Sequence, residues 1–83
     1  MSKLTNKWTK IAADQLLGKQ IVKVEYMTSK ECEELGWYNR PVMFQLDDGH
    51  WIYPSQDDEG NNGGALYTTH KKDWVLPVLS VRD

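Results

Sequence analysis

The chain has 83 residues, 40% of them hydrophobic and 27% charged, with a net charge of −2. That length holds one core, so a single folded domain over 1–83 is expected, and the composition is too apolar for a disordered chain. The lone cysteine, Cys32, excludes a disulfide framework and points to a reducing, cytoplasmic compartment, and no apolar run approaches a signal core or a membrane span.

Charge is unevenly spread. Residues 1–23 carry Lys3, Lys7, Lys10, Lys19 and Lys23 against Asp14 alone, whereas residues 24–59 set nine acidic side chains against Lys30 and Arg40. An acidic middle repels phosphate, so nucleic acid is a disfavoured partner.

Leu4, Trp8, Ile11, Ala12 and Leu16 recur at helical spacing, with Thr5 or Asn6 available as a cap and Gly18 as the stop. The spacing predicts a one-sided helix that needs a sheet to lie on. Lys3, Lys7 and Lys10 form a parallel stripe, read as a solvated face. From Gln20 the period changes to two: Val22, Val24 and Tyr26 alternate with Lys23, Glu25 and Met27, which predicts a strand with one wet face. Thr28 followed by Glu31 has capping-box spacing, and Gly36 ends the short helix that follows. A helix so short is expected to gain its stability by packing Cys32, Leu35 and Trp37 against the sheet.

Residues 42–53 predict a hairpin. With Asp48-Gly49 as a two-residue turn, Leu46 faces Trp51 and Phe44 faces Tyr53. Val42, Phe44, Leu46, Trp51 and Tyr53 then share one face, and Met43, Gln45, Asp47, His50 and Ile52 the other. Pro54 opens a polar, glycine-rich surface loop that runs to Gly64. Strands are expected at Ala65–Thr69 and Trp74–Val81, the second bent or at an edge because Pro77 has no N–H to donate. The order predicts an α+β fold, mainly antiparallel β: a strongly bent sheet or small barrel with an N-terminal helix and one short inserted helix.

Leu17-Gly18-Lys19-Gln20-Ile21, the Asp48-Gly49 hairpin, and Tyr53-Pro54 followed by Asp57-Asp58-Glu59-Gly60-Asn61 and Gly64-Ala65-Leu66 resemble a group of short bacterial proteins to which no activity is attached. The resemblance covers residues 16–80 and implies no catalytic residues. The strand pattern is also similar to Src-homology-3-like barrels, an analogy of fold alone.

Asp57, Asp58, Glu59, Asn61 and Asn62 crowd oxygen ligands into one loop. A calcium-loop frame starting at Asp57 puts Asn62 at the glycine position and Thr68 at the bidentate position. Starting at Asp58 puts Gly60 at the third ligand and Thr69 at the last, so neither frame fits. Cys32 with His50 or His70, and these with Asp47, have neither metal-ligand spacing nor an orienting third group. Cys32 is read as a small buried hydrophobe and His50 as a turn residue able to pair with Asp47. No catalytic residue, metal ligand or cofactor is assigned.

Four tryptophans and four tyrosines are many for so small a core, so some are expected at the surface, at Trp37, Tyr38, Tyr67 and Trp74. The resulting expectation is a non-enzymatic module that binds a protein partner, or a second copy of itself. Asp57, Asp58, Glu59 and Asn61 of the 54–64 loop, with Trp37, Tyr67 and Trp74, would make the contact. The alternatives are single-stranded nucleic-acid binding by aromatic stacking, or a small enzyme or divalent-cation protein.

Overall fold

The computed structural model describes residues 3–82. Met1, Ser2 and Asp83, the ends of the domain expected over 1–83, lie outside the described residues. The apolar period forms helix α1, Lys3–Leu16, which starts early enough that Thr5 and Asn6 sit inside it and do not cap it. Gly18, at φ 76°, closes it in the left-handed region, with the Lys19 N–H donating to the Leu16 carbonyl at 3.2 Å. The helix does not lie on the sheet. None of its residues is buried, and Leu4 is 65% and Trp8 57% exposed. An apolar stripe demands a cover, but nothing in it requires that the same chain provide one. The radius of gyration is 14.3 Å, above the roughly 12 Å of a compact chain this long, as expected when one helix stands off the body.

Strands β1 (Ile21–Tyr26), β3 (Val42–Leu46) and β4 (Trp51–Ile52) form an antiparallel sheet with β3 at its centre. The hairpin forms where the Asp-Gly pair places it, in a different register. The Gly49 N–H donates to the Leu46 carbonyl and the Leu46 N–H to the His50 carbonyl, both at 2.9 Å, so the loop is Asp47-Asp48-Gly49. This is a three-residue loop with glycine in the left-handed position, φ 92°. The slip pairs Gln45 with Trp51 and Phe44 with Ile52. Phe44 and Trp51 therefore lie on opposite faces, and the common face expected for Val42, Phe44, Leu46, Trp51 and Tyr53 does not exist, because one residue of register inverts every side chain of a strand. Trp51 instead shares its face with Gln45, Lys23, Glu25 and Met43. Met43, expected on the face opposite Val42, Phe44 and Leu46, is 5% exposed, while Val24 is 64% exposed.

Helix α2, Ser29–Leu35, carries the capping box: Thr28 Oγ1 accepts from the Glu31 N–H, and Glu31 Oε1 accepts from the Thr28 N–H at 3.1 Å. At its other end Gly36, φ 75°, donates to the Glu33 carbonyl and Trp37 to the Cys32 carbonyl, which satisfies the last turn. Cys32 and Trp37 pack inward with Met27 and Met43, and Trp51 and Val81 lie against them; Leu35, expected in this core, is 51% exposed.

The strand expected over Trp74–Val81 is divided at Pro77, because a residue without an N–H cannot continue a ladder. Its halves join different sheets: β6 (Val75–Leu76) pairs with β5 (Leu66–Tyr67), and β7 (Leu79–Ser80) pairs with β2 (Asn39–Arg40). The Tyr26 hydroxyl donates to the Pro77 carbonyl at 2.9 Å and ties this divide to β1. The fold is α+β with short antiparallel strands in separate small sheets, and among the described residues no barrel closes.

Candidate functional site

The acidic loop is built to hold its own shape. Asp57 Oδ1 accepts from the backbone N–H groups of Glu59 at 3.0 Å and Asn61 at 3.3 Å, and Asp57 Oδ2 accepts from the Asn61 amide at 2.8 Å. These bonds, the Asn61 amide foremost, hold the Asp57 carboxyl below the usual aspartate range. Asn62 anchors the loop: its Oδ1 accepts from the N–H groups of Tyr38, Asn39 and Gly63, at 3.0, 3.1 and 2.9 Å. Gly63 sits where a Cβ would come within 2.7 Å of Pro41 Cδ and 2.8 Å of the Asn39 carbonyl oxygen. The Trp37 indole N–H donates to the Gly60 carbonyl at 2.7 Å. The loop is thus fastened to the core, with Asp58 and Glu59 exposed on it.

The residues expected to act together are divided. Trp37 is 6% exposed and belongs to the core under the loop; its place after a helix stop favoured the surface, but the loop covers it. Tyr67, 71% exposed, and Trp74, 54% exposed, form an edge-on pair on the β5–β6 hairpin, with ring centroids 5.8 Å apart. Cys32 is fully buried, donates its thiol to the Asn39 carbonyl at 3.6 Å, and has its pKa raised by that burial. His50 donates its backbone N–H to Asp48 Oδ1 at 3.0 Å; the side-chain partner of Asp48 is Lys19, 3.4 Å away. The pairing considered between His50 and Asp47 thus has its place taken by Asp48, which the three-residue loop presents to the following N–H. Among the described residues no three His, Cys, Asp or Glu side chains gather into a metal site.

The register slip creates a feature that reading by segments missed. Between α2 and the sheet lies a groove of about 370 Å³, with Met27, Met43 and Trp51 among its apolar lining and Leu35 and Tyr53 at its sides. Glu25, from β1, and Glu31 and Glu34, from α2, also line it. Glu31 stays ionised below the usual glutamate range because it accepts from the Thr28 backbone and hydroxyl. Glu25 meets Lys23 at 3.9 Å, but both are well exposed, so that pair is worth little. Tyr53 packs edge-on against Trp37, centroids 5.8 Å apart, which links this wall to the anchored loop. The Lys23 ammonium lies 5.8 Å from the Trp51 ring at the edge of the groove, whose charged lining residues are all glutamates, whereas a wider opening of about 480 Å³ beyond the end of α2 is lined by both Glu33 and Arg82. The only sequence signal for the groove was Glu31 and Glu34 three apart on one helix; Glu25 and the methionines arrive through pairing.

No protein-family model, curated protein or solved structure matches the chain.

Proposed function

We propose that the chain is a non-enzymatic protein-binding module of a reducing compartment, and that its partner presents a basic helix with an apolar face. The observation that carries this is the groove between α2 and the sheet, where Glu25, Glu31 and Glu34 meet an apolar lining of Met27, Met43 and Trp51. Leu35 and Tyr53 offer the exposed apolar contact over a floor of buried Met27 and Met43, a helix laid in a groove presents apolar anchors one turn apart, and carboxylates of one sign steer cations to it. Through buried Trp37, which packs edge-on against Tyr53, the 54–64 loop holds the Tyr53 side of the groove in place, and its exposed Asp58 and Glu59 add to the negative field. The lone Cys32, buried as a free thiol, supports the reducing compartment.

Calorimetric titration with a synthetic helix-forming peptide of leucine and lysine tests the reading. Binding is expected to weaken with added salt, and Glu25→Gln with Glu34→Gln to reduce affinity about ten-fold. Equal affinity in that variant, or no binding to a monomeric form of the chain, contradicts it. Single-stranded nucleic-acid binding is the second reading, favoured by the exposed Tyr67–Trp74 pair beside Lys71 and Lys72. Their planes meet at 87°, so the two rings do not form one continuous stacking platform. Quenching of tryptophan fluorescence by short oligonucleotides at low salt would favour that reading, and its absence the protein-binding one.

A further inference from the structure

We infer that the occupant of the groove is α1 of a second copy of this chain, so that two copies exchange helices. The inference rests on the reading of the groove just given and names its partner. The chain itself holds both complements. Leu4, Trp8 and Ile11 follow one another at four- and three-residue steps along α1, and Lys3, Lys7 and Lys10 form the same pattern one position earlier. The helix therefore offers an apolar stripe flanked by cations, and the groove an apolar lining flanked by carboxylates. Each is unfilled in one copy: α1 buries no residue, and the groove stands open beside half-exposed Leu35.

The root of α1 argues for exchange. Gly18 turns the chain and Lys19 pairs with Asp48 at 3.4 Å, so the end of the helix is fixed at the tip of the β3–β4 hairpin. There Asp14 and Gln15 come beside Asp48, His50, Trp51 and Ile52. From that root the helix projects as an arm of about 21 Å, consistent with the 42 Å long dimension of the molecule. Trp8, near the middle of the arm, is the anchor: large, 57% exposed, and with the Lys7 ammonium 5.6 Å from its ring. Two copies related by a two-fold axis fill both grooves and cover both helices, a closed arrangement that needs no third chain.

Sedimentation of the full chain over a concentration series is the test. A dimer is expected, and Trp8→Ala, at an exposed position that spares the core, is expected to raise its dissociation constant about 30-fold. Lys7→Glu with Lys10→Glu in one variant, and Glu25→Lys with Glu34→Lys in another, should each leave monomers. An equimolar mixture of these two should recover the dimer, because each reversed helix then meets a reversed groove and each native helix a native one. A monomer at every concentration, a dimer unaffected by Trp8→Ala, or a mixture that stays monomeric overturns the inference. Adding the leucine–lysine peptide separates the two readings: if it binds a monomeric chain, the groove reading stands and self-exchange falls; if it does not, both fall.

Discussion

The indole N–H of Trp37 reaches the carbonyl oxygen of Gly60 at 2.7 Å, and through that bond the most acidic stretch of the chain is fastened to its core. Trp37 lies between α2 and β2, and its other neighbour, Tyr53, lines the groove. The loop, the core and the proposed binding surface thus share one aromatic pair.

Loop anchoring makes Asn62 and Gly63 the sensitive positions, and not the more conspicuous carboxylates. Asn62→Ala strips the acceptor from the N–H groups of Tyr38, Asn39 and Gly63; it is expected to cost about 1–3 kcal/mol in urea unfolding. Gly63→Ala forces a Cβ against Pro41 and the Asn39 carbonyl and is expected to cost about 1–3 kcal/mol. Asp58→Asn should be neutral in the same measurement.

Acid should loosen the molecule at three points. Hydrogen bonds hold the carboxyls of Asp48, Asp57 and Glu31 below their ordinary values of 3.8, 3.8 and 4.5. A pKa depressed in the folded state contributes stability that is present above the unfolded value and is lost as pH falls through the folded one. The urea midpoint is therefore expected to be flat down to about pH 5 and to fall below about pH 4. All three groups are exposed, so the fall is modest. Asp57→Asn should lower the midpoint near neutrality and flatten the acid limb, which the same unfolding series reads directly.

Burial protects the thiol of Cys32. With no exposed surface and a raised pKa, it is expected to react with a disulfide reagent only through unfolding, so that its labelling rate rises in step with urea-induced opening. Prompt labelling of the native chain would contradict its place in the core.

What the sequence made legible was local. The Thr28–Glu31 box, the Gly36 stop and the Gly18 stop depend on residues within a turn of one another, and all three formed. The register of the hairpin was not legible, because Gly49 takes a positive φ in a two-residue or a three-residue loop alike, and the alternation along β3 suits either face. That single slip moved Trp51 across the sheet and made the groove. The amphipathic period of α1 showed that a cover is needed without naming it. Asn62 gave no sign of its role, since an asparagine among glycines reads as a turn, and two of its three donors, Tyr38 and Asn39, come from elsewhere in the chain. The division of the last strand was half legible: Pro77 marked the break but not the two sheets that its halves would join.

Methyl NMR tests the proposed seating of a basic, apolar-faced helix in the groove between α2 and the sheet at the surface concerned. On addition of the leucine–lysine peptide to the monomeric Trp8→Ala chain, the Met27 and Met43 methyl signals and the Trp51 indole N–H are predicted to move together along one saturable curve. Unmoved methionine methyls, with changes confined to residues 54–64 or to Tyr67 and Trp74, would contradict it.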